Sequence, residues 1–193
     1  MTQDLVIRET TEEDYDEVRH FIEMVDEEFY PPLSKRGESI AARVKRTLAT
    51  QNSNYLLAQL KIPDPSDKLN GFVGLIGYTN KWKSEADSYI NFLASHPAYR
   101  KYGVSKLLCV ELEKMLCSIG IKRIYLCTWS SNLAAMRFYE KLGYNAYSVI
   151  LNDRGKGIDT LNYRKNISPA EFVQNSNIRL NNRLEDKFTC ASK

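Results

Sequence analysis

Residues 97–105 lead from Pro97 through Arg100, Lys101, Gly103 and Ser105 into an apolar series, Leu107, Leu108, Leu112, Met115, Leu116 and Ile119, whose spacing of three and four marks one face of a helix. This junction constrains the chain more than any other stretch, because it sets a helix start, a buried face and an electrostatic character together. Amide N–H groups in the first turn of a helix have no intrahelical acceptor, and the macrodipole adds partial positive charge at that end. Gly103 lacks the Cβ that would hold a phosphate off the backbone, and Arg100 and Lys101 bring formal charge to the same place. The loop is therefore suited to an anion, with Arg100, Lys101, Tyr102, Gly103, Val104 and Ser105 as the residues that would hold it. Any helix start gives part of this pattern, so the reading needs a second signal.

That signal lies downstream. A strand-like run at residues 124–128 is followed by Asn132, Ala135, Phe138, Tyr139, Leu142, Gly143 and Tyr144, in the spacing Asn-x-x-Ala-x-x-Phe-Tyr-x-x-Leu-Gly-Tyr. Together the two motifs resemble those of the GNAT N-acetyltransferase superfamily. In that family Arg or Gln, two residues, Gly, one residue, and Gly or Ala wrap the pyrophosphate of acetyl-CoA, and a helix of the second kind follows. Here the first motif reads Arg100, Gly103 and Ser105. Ser105 departs from the usual small apolar residue, but it is still small and its hydroxyl can donate to a phosphate. The resemblance runs in order over residues 5–165, a GNAT domain at 1–165, and leaves residues 166–193 as a C-terminal extension.

The pattern along the chain agrees in order. Residues 5–8 read as a strand. Thr10 or Thr11 then cap a helix with the stripe Tyr15, Val18, Ile22 and Val25, ended by Tyr30-Pro31-Pro32. A second helix covers residues 38–48. Strands follow at 55–61, 71–79 and 88–95, then the loop and its helix, a strand at 124–128, the Asn132 helix and a hairpin of 146–151 with 160–164. This is a mixed α/β order. The resemblance implies a central, mostly antiparallel sheet of about seven strands, splayed between the fourth and fifth and flanked by four helices. In the extension, Ser168, Pro169 and Glu171 suit a short helix. Phe172, Val173 and Ile178 are apolar enough to dock a second copy as a homodimer.

Composition narrows the classes. A hydrophobic share of 43% beside 26% charged residues suits one soluble domain, and a net charge of +3 is too mild to argue for nucleic acid. The start reads unlike a signal peptide and no apolar run is long enough to span a bilayer, so the expectation is a cytoplasmic protein without a membrane partner. Cys109, Cys117, Cys127 and Cys190 lack metal-ligand spacing and are expected as reduced thiols.

The resemblance also implies an acyltransferase chemistry. Leu93, Ala94 and Ser95 end the strand before the loop, where the family's splay leaves backbone groups for the pantetheine arm. Tyr139 is the expected catalytic acid, since a phenol near pKa 10 is reasonably matched to a thiol near 8.5 and can protonate the departing thiolate. Asn132 is both a helix cap and a cofactor contact. For deprotonating an amine no base stands out. Glu85, Asp87 and Tyr89 lie where family members place a carboxylate or a water-ordering tyrosine, and Tyr89 is the second catalytic candidate. The histidine that some protein N-terminal acetyltransferases pair with that tyrosine is replaced here by Cys127. The acidic run at residues 26–28 would overhang the acceptor and attract a cationic amine. His20 and His96 read as structural, and Arg154-Gly155-Lys156-Gly157 as a hairpin turn. The implied activity is acetyl transfer from acetyl-CoA to a primary amine by direct attack in a ternary complex. A small-molecule amine and a protein N-terminus or lysine both stay open as acceptors, and a noncatalytic CoA-binding module is the alternative of another class.

Overall fold

The computed structural model describes residues 5–64 and 66–170. Seven strands form one sheet, β1 (Leu5–Glu9), β2 (Ser53–Leu60), β3 (Phe72–Asn80), β4 (Asp87–Ser95), β5 (Arg123–Trp129), β6 (Asn145–Ile150) and β7 (Thr160–Asn166), in the order β1-β2-β3-β4-β5-β7-β6. Only β4 and β5 run parallel; the other neighbours are antiparallel. Four α-helices accompany them, α1 (Tyr15–Val25), α2 (Ile40–Ala49), α3 (Val104–Ser118) and α4 (Leu133–Lys141). The sheet, its predominantly antiparallel pairing and the four helices match the fold expected from the sequence.

Both faces of the sheet are covered, which is why β2 and β3 read as almost continuous apolar runs rather than as alternating ones. On one face Leu56, Ala58, Val73 and Ile76 pack with Leu108 and Leu112 of α3 and with Tyr139 of α4. On the other, Tyr55, Leu57, Leu75 and Phe92 meet Val18, Phe21 and Ile22 of α1 and Val44 of α2.

Local chemistry moves several boundaries. The first helix opens with a 3-10 turn, Glu12–Asp14, where the Asp14 carboxylate accepts the Thr11 N–H at 2.8 Å and pairs with Arg8. It ends at Val25, short of Tyr30, and passes into a 3-10 turn, Asp26–Glu28, where the Asp26 carboxylate accepts from the backbone N–H and the hydroxyl of Ser34. The second helix starts at Ile40, not at Glu38, since Ser39 is its cap and accepts from Ala42 at 3.1 Å; Glu38 reaches instead to Arg46. Beyond β7, Ile167 is buried and donates its N–H to the Lys122 carbonyl. The expected short helix continuing through Glu171, and the tail beyond it, lie outside the described residues.

Candidate active site

The site begins as a fault in the ladder. Parallel pairing of β4 with β5 runs from Asp87↔Arg123 to Ile90↔Leu126 and stops there. On its other side β4 continues along β3 as far as Gly74↔Ser95, but with a bulge: Gly77 faces Phe92 while Tyr78 faces Ile90, which leaves Asn91 as the extra residue. A Cβ on Gly77 would lie 2.4 Å from Asn91 Oδ1, so this approach needs glycine. A bulge bends and twists its strand. Here it turns β4 away from β5 at the residue where their pairing ends, while Cys127, Thr128 and Trp129 of β5 remain bonded to β7.

The gap exposes particular backbone groups. His96 donates its N–H to Val73 O, and directions alternate along an antiparallel ladder, so Ala94 also faces β3. Leu93 and Ser95 therefore direct their amide and carbonyl groups into the gap. A cleft of about 310 Å³ opens on this edge. Leu93, Ala94, Ser95, Arg100 and Ser105 form one wall, and Asn132 and Tyr139 belong to the other. The fold thus brings these seven sequence-derived candidates together.

The remaining loop candidates contribute through the backbone. Lys101 and Gly103 both have left-handed φ, 68° and 87°, and a Cβ on Gly103 would meet nothing within 4 Å. The left-handed conformation favours glycine at the helix cap, and the space in front of it is open. The first helical bond of α3 is Leu107 N–H to Gly103 O, so the amides of Val104, Ser105 and Lys106 have no acceptor within the helix. Val104 itself is buried and packs onto Gly74, where a Cβ would lie 2.5 Å from its Cγ1. This glycine seats the helix start directly on the sheet. Within one wall of the cleft, Ser105 of α3 and Ser95 of β4 are joined through their hydroxyls at 2.6 Å. Arg100 pairs with Glu28 across the mouth.

Tyr139 is only 8% exposed and packs against Tyr144 and Phe138, with ring centroids 5.8 and 5.3 Å away. Burial is the main reason its hydroxyl is held well above the ordinary phenol range, so it is protonated at neutral pH. Asn132 caps α4, its Oδ1 accepting from Ala135 N–H at 3.1 Å. Phe138 is half-buried, packing against the core while it also lines the cleft.

Tyr89 stands apart from the cleft. It lines a second cavity on the α1–α2 face, stacks on Trp82 at 4.6 Å and donates its hydroxyl to Cys127 Sγ at 3.0 Å. Burial raises this phenol too, so it is a proton donor and not an acceptor. Neither neighbouring carboxylate replaces it: Asp87 is buried against Arg123 at 2.6 Å, and Glu85 is exposed beside Lys81. Two members of the acidic run have partners, Asp26 accepting from Ser34 and Glu28 pairing with Arg100. His96 caps the turn Pro97–Tyr99, its Nδ1 accepting from Ala98.

Arg154, read as part of a turn, is in that turn, yet its guanidinium reaches inward to Tyr30 O at 2.6 Å, Thr160 Oγ1 at 2.9 Å and Cys127 Sγ at 3.4 Å. Nothing in its own segment announces this, because the contact depends on how the β6–β7 hairpin folds over β5. Phe29, which stacks on Phe92 at 5.2 Å, and Trp129 also line the cleft unanticipated.

A twisted mixed sheet parted between two parallel strands, beside a glycine-capped helix, defines the architecture of acetyl-CoA-dependent acetyltransferases. The sequence profile described as the acetyltransferase (GNAT) family matches residues 13–144, and the chain belongs to this family, whose members draw their acetyl group from acetyl-CoA. An acetyltransferase of Sodalis glossinidius (strain morsitans) is 37% identical over 60 residues, which is 31% of this chain and 42% of that protein. The match thus spans less than half of that relative. Among solved structures, the aminoglycoside 6'-N-acetyltransferase from Enterococcus faecium superposes with a TM-score of 0.66 at 21% identity, covering 85% of this chain and 98% of the other. Arabidopsis thaliana NAA60 in complex with acetyl-CoA gives 0.65 at 17% identity over 85% and 99%. These two likenesses establish the fold. No described helix is long and apolar enough to cross a membrane.

Proposed function

We propose that the protein transfers the acetyl group of acetyl-CoA to a primary amine by direct attack in a ternary complex. The observation that carries this reading is the cleft itself, in which unpaired backbone groups of Leu93 and Ser95 lie between a helix start with free amides and a buried, protonated tyrosine. The pyrophosphate is assigned to the amides of residues 103–106 with Arg100 and Lys101 nearby, and the pantetheine arm to the free edge of β4. The amine must be neutral to attack. The Arg154 guanidinium beside Cys127 disfavours an ammonium at that end of the gap. A new N–C bond then forms at the thioester carbonyl, the C–S bond breaks, and the Tyr139 hydroxyl protonates the sulfur. The proton lost from nitrogen passes to solvent, from which the phenolate is restored. Tyr89, neutral and tied to Cys127, is assigned a positioning role. The three unpaired cysteines Cys109, Cys117 and Cys127 fit a reducing, cytoplasmic setting.

Thiol release from acetyl-CoA, measured against a panel of small amines and of peptides, tests the activity. Acceptor-dependent release of CoA supports it. Saturable acetyl-CoA binding without turnover of any amine would favour a noncatalytic CoA-binding module.

A further inference from the structure

The cavity beside Tyr89, about 230 Å³, is walled by Arg43, Arg46, Tyr55, Thr79, Tyr89 and Asn91. Its cations outnumber the carboxylates available to them. Arg46 uses Nε and Nη2 on Glu38, at 3.0 and 2.9 Å, and Arg43 Nη2 comes only to 4.0 Å from the same carboxylate. Arg43 Nε is buried with no hydrogen-bond partner. Arg36 donates Nε to Pro31 O at 2.8 Å, and its Nη2 is likewise buried and unpartnered. Burial and the nearby charges of Arg154 and Arg43 pull Arg36 below the ordinary arginine range, while its acidic neighbour, Asp26, is already held by Ser34. Two such unpartnered guanidinium donors are unusual, because buried polar groups are nearly always paired, and of the two Arg43 lines the cavity. The vacant donor calls for an anion, and the planar fork of a guanidinium matches the geometry of a carboxylate.

The cavity also ends in the right place. Tyr89 is one of its walls, and the Tyr89 hydroxyl bonds to Cys127, the first residue of β5 beyond the last β4–β5 pair. A molecule anchored at Arg43 would therefore direct its far end toward the point where the strands part. We propose that Arg43 binds a carboxylate of the acetyl acceptor, which makes the acceptor a small amine that itself carries a carboxylate. This inference rests on the amine-acetyltransferase reading and narrows its substrate class. It replaces the acidic attraction expected from residues 26–28 with a basic one.

The test compares matched acid and amide probes, with kcat/KM expressed per neutral amine because a carboxamide lowers the pKa of the neighbouring ammonium: L-leucine with L-leucinamide, L-phenylalanine with L-phenylalaninamide, and β-alanine with β-alaninamide. With acetyl-CoA saturating, the carboxylate member of at least one pair should show about tenfold or greater advantage in kcat/KM. Arg43→Met should erase that advantage mainly through KM, leaving the acetyl-CoA Kd from calorimetry unchanged. Equal turnover of acid and amide in every pair, or an advantage that survives in Arg43→Met, would overturn the proposal. If no amine turns over, the activity reading fails instead. Calorimetry of the same probes on the CoA-saturated protein then decides this one: tighter binding of an acid that is lost in Arg43→Met upholds an anion site, and equal or absent binding refutes it.

Discussion

Tyr139 combines two demands that usually conflict, since a buried aromatic packs well but a buried hydroxyl needs a task. In the proposed reaction the task is protonation of the CoA sulfur. Replacement by phenylalanine keeps the ring contacts with Tyr144 and Phe138 and removes the acid. Tyr139→Phe should therefore lower kcat by roughly ten- to a thousandfold, with the acetyl-CoA Kd nearly unchanged, in steady-state kinetics paired with calorimetry. The sign of its pH dependence follows from burial. An ordinary phenol would lose its proton near pH 10, and desolvation raises this one further, so the acid form persists through the alkaline range. The Tyr139-dependent part of kcat should stay level from about pH 8 to about pH 10. An alkaline fall in that interval that vanishes in Tyr139→Phe would contradict this assignment.

The loop before α3 and the strand beneath it act as one element. Gly103→Asp places a Cβ and a negative charge at the helix cap, and should abolish acetyl-CoA binding while the circular dichroism spectrum is retained. Asparagine tolerates left-handed φ better than most residues, so Gly103→Asn should give an intermediate affinity and separate steric from electrostatic effects. Gly74→Val drives a side chain into Val104 and Leu108, and should cost about 1–3 kcal/mol in chemical denaturation while weakening acetyl-CoA binding as the helix start is displaced. These elements also mark how far sequence carries. Arg100, Gly103 and Ser105 work within one turn, as do Asn132 and Tyr139, and such short-range patterns are legible in a single chain. The bulge at Asn91 requires Gly77 from the neighbouring strand, and Arg154 reaches Cys127 only after a hairpin has closed over β5. Both depend on pairings between distant segments, which local spacing does not encode. The acidic run at residues 26–28 was legible as charge, but not the pairing of Glu28 with Arg100 or the hydrogen bonds from Ser34 to Asp26, because Ser34 and Arg100 lie outside its own segment.

At the scale of the whole molecule, two cores on opposite faces of one sheet hold the parted strands, and every residue lining the cleft falls between Glu28 and Tyr139. Removing residues 175–193 should accordingly leave the acetyl-CoA Kd nearly unchanged, and a severe loss of affinity would mean that the extension completes the site. The central claim is that acetyl-CoA occupies the gap between β4 and β5 through the backbone of β4. Residue-resolved amide hydrogen exchange, with and without saturating acetyl-CoA, tests it most directly. The Leu93 and Ser95 amides, which face the gap, should become protected, while Ala94, directed toward β3, should change little. Unaltered exchange at both Leu93 and Ser95 in the saturated complex would contradict the account.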